Sequence, residues 1–400
     1  MKKILALIMA VLMVFGLAAC GNAPATDDNA QKSDLKVGFI FLHDENSTYD
    51  KNFIDAAVAA CKNMGVEMVQ KTQIPESNAC YDAAVELIDV EGCDVIFADS
   101  FGHESFLMKA AEEYPDVQFC HATGTQAHTA GLKNFHNAFA HIYEGRYLAG
   151  VVAGMKLKEM IDNGDITADK AKMGYVGAFT FAEVISGYTS FYLGAKSVVP
   201  EVTMDVKFTG SWYDETKEKQ AAQALIDGGC VLISQHADSM GAPTACEAAK
   251  VPNVSYNGST EAACPNTWLV SSRINWVPYF EYMITQVKNG EAIDTDWAGT
   301  IANGAVALTD LGKSAAAGTA EKLETVKAGL KDGSIKVFDT ANFTVGGKKL
   351  DSYKADVDTD EKFTPDTEVI EDGVFYESKF RSGPYFDVRI DGITLLDEAY

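Results

Sequence analysis

Basic residues are scarce in this sequence. Lys and Arg total 33 of 400 residues against 57 Asp and Glu, a formal net charge of −24. Neutralising phosphates needs a cationic face, so this balance excludes nucleic acid as a partner and argues against electrostatic adhesion to anionic lipid. Signatures of catalysis are missing as well. There is no G-x-S-x-G elbow and no H-E-x-x-H pair. Gly312-Lys313-Ser314 has the end of a phosphate-binding loop, but Ala307 stands where its first glycine belongs. His121, His128, His136 and His141 sit close together in sequence without the i, i+4 spacing that puts two ligands on one helix face. No cofactor, no metal and no enzymatic activity are therefore expected. Paired cysteines are also lacking: no C-x-x-C occurs, and setting Cys20 aside leaves an odd seven. A chain this long does not need staples, so most of these thiols are expected in the core as small hydrophobes.

Long apolar runs are nearly absent, and the one exception is at the start. Lys2 and Lys3 precede an uncharged apolar stretch from Ile4 to Gly16, which is followed by Leu17-Ala18-Ala19-Cys20. The stretch is too short to span a bilayer comfortably and has the length of a signal-peptide core. Small residues before a cysteine look like a bacterial lipobox. The expectation is a cleaved signal peptide over 1–19, lipidation of Cys20 and membrane anchoring outside the cytoplasm. Residues 20–34 lack periodicity and read as a flexible tether.

The remaining chain has an ordinary globular composition, 47% hydrophobic and 22% charged. Its pattern is doubled. A buried-strand run over Leu35–Leu42 leads to a helix with Phe53, Ala56, Ala57 and Ala60 on one face, then Gly65 and a second strand from Val66. Gly38-Phe39 aligns with Gly174-Tyr175, Val66 with Val202, Gly92-Cys93 with Gly229-Cys230, and Ala98-Asp99-Ser100 with Ala237-Asp238-Ser239. A shared register through successive elements predicts an α/β fold of two similar lobes, each a doubly wound parallel sheet.

Parallel sheets bind ligands at the carboxyl ends of their strands. The loops expected there are 42–52, 99–104, 122–125, 178–183, 210–214, 235–239, 257–260 and 273–276. They collect Tyr49, Phe101, Phe179, Phe181, Trp212, Tyr213 and Trp276, a set suited to a flat apolar ligand, since stacking a base on an aromatic ring is worth about 1–3 kcal/mol.

Four segments carry a resemblance. They are Asp44 with Asp50-Lys51-Asn52-Phe53; Glu144-Gly145-Arg146-Tyr147-Leu148-Ala149-Gly150; Gly210-Ser211-Trp212-Tyr213-Asp214 with Lys217-Glu218-Lys219; and Ala224-Leu225-Ile226-Asp227-Gly228-Gly229 with Gln235-His236-Ala237-Asp238. In order and spacing the chain resembles the basic membrane protein family of lipoprotein substrate-binding proteins, close to the purine-nucleoside receptors of ABC importers. The resemblance implies a type I periplasmic-binding-protein fold whose lobes are joined by three hinge crossovers. It divides the chain into lobe 1 (35–138 and about 272–304), lobe 2 (139–271 and about 305–345) and an extension, 346–400, packing on one lobe.

By position, Asp44 matches the family's ligand carboxylate, Phe53 its first stacking ring and Trp212 its second, with Phe179 beside it. Asn257 falls where nucleoside receptors carry an Asp on the ribose, and Arg273 falls near their ligand-facing Lys. Asn weakens the ribose contact, since an amide has one acceptor oxygen. Asp238, in place of the usual glycine-rich stretch, could supply the lost carboxylate or read a free base, so nucleoside against nucleobase stays open. The implied partners are a purine nucleoside or nucleobase, an ABC permease and its ATPase, with the receptor a monomer. A sugar receptor, a sensory lipoprotein and a nucleoside hydrolase remain as alternatives.

Overall fold

The computed structural model describes residues 35–357 and 364–400. The expected signal peptide 1–19, the lipidated Cys20 and the tether 20–34 lie outside the described residues. Among the described residues no helix is long and apolar enough to cross a membrane.

In the first lobe β1 (Lys36–Ile40), α1 (Thr48–Met64), β2 (Glu67–Lys71), α2 (Asn78–Asp89), β3 (Val95–Ala98), α3 (Glu104–Glu113), β4 (Gln118–Ala122), the short α4 (Ala127–Ala130) and β5 (Phe135–Ala140) follow one another. The second lobe repeats the alternation with α5 (Ile142–Asp162), β6 (Lys172–Gly177), α6 (Ala182–Lys196), β7 (Thr203–Phe208), α7 (Glu215–Asp227), β8 (Leu232–His236), α8 (Gly241–Ala249), β9 (Asn253–Tyr256) and β10 (Trp268–Ile274). Next come α9 (Val277–Asn289), β11 (Asp296–Gly299), β12 (Val306–Leu308) and α10 (Thr319–Lys331).

One sheet has the order β11-β5-β4-β3-β1-β2, and the other begins β12-β10-β9-β8-β6-β7. All pairings in the first are parallel, and in the second only β12 runs antiparallel. The core strands are buried on both faces, which is why they read as unbroken apolar runs. The doubling reaches side-chain level. A Cβ on Gly38 would meet Ile96, Leu87 and Cys93, and one on Gly174 would meet Ile233, Leu225 and Cys230. The same three residue types fill the same space in both lobes. The seven described cysteines are buried and free.

The chain passes between the sheets at His141, at 275–276 and over 300–305. The expected boundary at 272 falls inside β10, because that strand stays paired with β9 as far as Ser272 and with β12 as far as Ile274. The extension departs further from expectation, for it touches both lobes. Its strand Ile393–Leu395 adds to β7 in the second sheet. Its Ser382 donates from N and Oγ to Asp296 Oδ1 of β11 in the first, at 2.8 and 2.9 Å. Composition alone could not show this, since the segment repeats nothing in either lobe.

Two buried arrangements hold the strand ends in place. Arg146 of α5 is fully buried and donates to Tyr175 Oη (2.7 Å), Ser234 Oγ (3.0 Å), Ser272 Oγ (3.2 Å) and the Ser255 carbonyl (3.4 Å). One guanidinium thus ties together β6, β8, β9 and β10. Glu144, two residues earlier, accepts from the Ile301 amide of the third crossing at 2.7 Å, and burial pushes its carboxyl up to about 7. In the first lobe Ser47 caps α1, accepting from Asp50 N, while Asp50 accepts from Ser47 Oγ (2.6 Å) and His43 N (2.7 Å). Burial raises the Asp50 carboxyl, but hydrogen bonds from His43 and Ser47 outweigh it and leave Asp50 below the usual carboxylate value. Its neighbour Asp99 moves the other way. Burial, the Asp50 charge and a hydrogen bond to Asp50 hold its proton well above the ordinary 3.8.

Helices α5 and α6 cross almost backbone to backbone. A Cβ on Gly194 would lie 2.1 Å from the Tyr147 carbonyl oxygen, and one on Gly150 would lie 1.9 Å from that of Phe191. Gly194→Ala must push the helices apart and should cost about 1–3 kcal/mol, seen as a lower denaturant midpoint at unchanged slope. Asp99 makes a second prediction. Above its ordinary value only the folded chain holds this proton, so stability falls as pH rises, by about 1.4 kcal/mol per pH unit until the folded value is passed. Asp99→Asn removes that loss, and its gain in Tm over the parent should be larger near pH 8 than near pH 4.

Candidate functional site

A cavity of about 360 Å³ opens between the lobes at the carboxyl ends of both sheets. Six of the eight loops expected there contribute to it. Leu42 and Tyr49 come from the β1–α1 connection and the first turn of α1, Ser100 and Phe101 from after β3, and Thr123 and Thr125 from after β4. The second lobe supplies Thr180 to Glu183 after β6, Trp212 after β7, and His236 and Asp238 after β8. The 257–260 and 273–276 loops do not reach it; Tyr256, at the end of β9, does.

The apolar wall is built mainly by the second lobe. Phe179 and Phe181 stack at 5.2 Å between centroids, and Trp212 stands edge-on to Phe179 at 5.0 Å. Phe101 faces Phe181 from the other lobe at 5.5 Å. Tyr49 donates to the Asp99 carbonyl at 2.7 Å, which fixes its ring at the first lobe's edge.

The polar wall is acidic and is held by short connections. Asp238 N donates to the Trp212 carbonyl at 3.0 Å, and the Asp238 carbonyl accepts from Thr48 N, in the opposite lobe, at 3.0 Å. The Asp238 carboxyl has no hydrogen-bond partner among the described residues. Burial, then the nearby Asp50, Glu218 and Glu183 charges, raise it well above the ordinary carboxylate value. Glu183 is better served: His236 Nε2 lies 2.9 Å from Oε2, and Tyr256 Oη donates to Oε1 at 3.3 Å. Glu218, which caps the 239 turn by accepting from Ser239 N, is pushed up by burial to about 7.

The residues expected at the site divide into two groups. Trp212 and Asp238 line the cavity, and Phe179 supports its wall from behind. Asp44 does not line it. It accepts from Asn46 N (3.0 Å) and Gln73 Nε2 (2.8 Å) beside a separate cavity of about 460 Å³, because it precedes the α1 cap and belongs to the turn before it. Phe53 is fully buried and stacks on Trp276 at 4.5 Å. It lies one helical turn deeper than Tyr49, on the core side. Asn257 is buried in a left-handed conformation, φ 64°, with its Nδ2 lacking a partner, and is not part of the cavity lining. Arg273 sits next to the last residue of β10, opposite Ala307 and outside the cavity lining, with Nε buried and unpaired.

Glu183 and Tyr256 were within reach of the sequence, since Glu183 closes the expected 178–183 loop and Tyr256 directly precedes the expected 257–260 loop. Arg381, Pro384, Asp387 and Tyr400 of the extension also line the cavity, and nothing in pattern or spacing pointed to them. Among the described residues no cluster of His, Cys, Asp or Glu has an arrangement that could hold a metal ion.

Comparison with known proteins agrees with this architecture. A purine-binding protein of Brucella abortus is 32% identical over 275 residues, 68% of this chain and 72% of its own length. An ABC transporter binding protein of Haloferax volcanii, named for glucose, is 35% identical over 207 residues, and that match spans about half of each protein, 52% here and 49% there. A solved solute-binding protein of an Aeropyrum pernix K1 ABC transporter system superposes with a TM-score of 0.64 at 18% identity, covering 76% of this chain and 92% of its own. That likeness shows the periplasmic-binding-protein fold. The Bmp family profile, described as ABC transporter substrate-binding protein PnrA-like, matches residues 40–337, and the chain belongs to that family.

Proposed function

We propose that this protein captures a purine nucleoside or free purine base outside the cytoplasm and delivers it to an ABC permease and its ATPase, held at the membrane through a lipid on Cys20. The observation that carries the reading is the pairing, in one cavity, of an aromatic wall (Phe101, Phe181 and Trp212) with the unpartnered Asp238 carboxyl. A purine ring stacks on such a wall and offers N–H donors at its edge. About 360 Å³ is at the small end of the roughly 300–1,000 Å³ of small-molecule sites. Micromolar affinity needs about 8 kcal/mol. Two stacked faces at about 1–3 kcal/mol each, with a few hydrogen bonds to desolvated groups, supply much of it. Binding then draws the lobes together about the three crossings.

A second reading is a sugar receptor, favoured by the Haloferax relative named for glucose. Sugar sites also stack aromatics but crowd hydrogen-bonding side chains around each hydroxyl. Here Phe101, Phe181 and Trp212 leave much of one side without polar groups.

Calorimetry against adenosine, guanosine, inosine, adenine, ribose and glucose separates the two. A purine compound should bind at micromolar affinity or tighter and both sugars should fail; tight glucose binding alone would make the sugar reading the right one. In the same assay Trp212→Ala should weaken purine binding by at least about tenfold, the lower end of a lost stack. Cys20→Ser should release the protein from the membrane fraction of cells, and continued sedimentation with membranes would exclude the lipid.

A further inference from the structure

The matched family segment stops at residue 337, yet the cavity is completed by residues beyond it. The extension is fastened to both lobes. On the second lobe Ile393–Leu395 pairs with β7, Thr180 N donates to the Ala399 carbonyl at 2.7 Å, and Ala399 N donates to Thr180 Oγ1 at 2.9 Å. On the first lobe Ser382 holds Asp296, and a Cβ on Gly383 would come within 2.6 Å of the Gly124 carbonyl oxygen. The stretch between these fastenings brings Pro384 and Asp387 to the cavity, and Arg381 stands just before it, between Ser382 on the first lobe and Glu377, which accepts from Ser186 Oγ of α6 on the second.

Arg381 is the one Lys or Arg among the described residues that line this cavity. Its Nε donates to the Gly383 carbonyl at 3.2 Å, and its guanidinium lies 5.7 Å from the Tyr385 ring centre. These contacts aim the side chain. No carboxylate among the described residues lies within ion-pair distance, and the terminal nitrogens have no acceptor there. Asp387, on the same wall, is engaged by the Tyr353 hydroxyl. The cavity therefore holds two polar groups of opposite character whose tips have no protein hydrogen-bond partner among the described residues, the Asp238 carboxyl and the Arg381 guanidinium, the latter in the field of Asp356, Glu104 and Asp296.

A 6-oxopurine offers adjacent acceptors, O6 and N7, which suit an arginine fork, and beside them the N1–H donor that suits a carboxylate. A 6-aminopurine puts an amine donor where O6 would be and so loses the arginine fork, while Asp238, raised by burial well above its ordinary value, can pair with the N1 edge of either base, which leaves the choice between them to Arg381. We propose that Arg381 is a specificity-determining residue contributed by the extension, and that it selects 6-oxopurines such as guanine and hypoxanthine compounds over adenine compounds. This rests on the purine reading above. It goes beyond that reading in naming the base and in assigning the choice to a residue outside the family segment.

Calorimetry on the full chain tests it, with guanosine, inosine, adenosine and guanosine 5′-monophosphate as probes. The parent should bind guanosine and inosine at least about tenfold more tightly than adenosine, the scale of one bidentate base contact. Arg381→Gln should lose that margin by weakening the oxopurines while changing adenosine less than about threefold. Arg381→Lys, which keeps the charge without the fork, should recover part of it. Equal loss for all nucleosides in Arg381→Gln would mean that Arg381 only braces the extension, and unchanged binding would mean that it does not touch ligand. Either result overturns the inference and leaves the purine reading standing. Tighter binding of the monophosphate than of guanosine would put a phosphate on Arg381 and also overturn it. Failure of every purine to bind the parent would remove both.

Discussion

The backbone of residue 238 is where the two lobes are joined into one site. Its carbonyl accepts from the first amide of α1 in the opposite lobe, its amide donates to the Trp212 carbonyl, and the next amide is held by Glu218. Thr48 adds its hydroxyl at 3.3 Å. The aromatic wall, the unpartnered carboxyl and the contact between lobes are therefore set by a few consecutive peptide groups. A helix start is suited to this, because its first amides have no partner within the helix. The doubled fold matters to function mainly because it brings two sets of strand ends face to face and lets one helix start be satisfied across the gap.

The same geometry concentrates negative charge where water is scarce. Asp50 and Asp99 lie behind the first lobe's edge, with Asp238 and Glu183 opposite. Desolvation is the largest influence on Asp99 and Asp238 and raises both well above the ordinary carboxylate value. Glu183 is offset by His236 and Tyr256, and Asp50 by His43 and Ser47. Asp238 has no such offset. Its carboxyl faces the cavity, so a ligand N–H can supply the partner that the protein does not. This physical reason favours a ligand with ring N–H or amine donors over one that offers only apolar faces.

Much of the framework was legible in the sequence, because parallel strands buried on both faces leave unbroken apolar runs and the second lobe repeats the first. Gly38 and Gly174 show how far the repeat reaches, since each is small to admit an Ile, a Leu and a Cys from equivalent positions. The site was less legible. Tyr49 and Phe53 are both aromatics on one face of α1, and sequence cannot say which turn meets the cleft and which meets Trp276 in the core. Asp44 stands before the Ser47 cap of α1, a boundary the sequence reading had not located. Arg273 was matched by position to the family's ligand-facing Lys, but β10 continues past it in register with β12. Asn257 stands at the right strand end, and its left-handed backbone places it outside the lining.

The extension was hardest to anticipate, because its role comes from where it runs and not from its composition. Its short strand adds to a sheet edge that the repeated fold leaves open, and its polar groups reach across to β11. A side chain fastened from both sides has its position fixed by the separation of the lobes. In the role proposed for Arg381, contact with the ligand is then made fully only at the separation described here. A ligand with the matching acceptors favours that separation over a wider one, and a ligand without them favours it less. Differential affinity for two arrangements is what shifts their populations. Choice of base and closure of the cleft would be set by one contact, which the family segment alone does not contain.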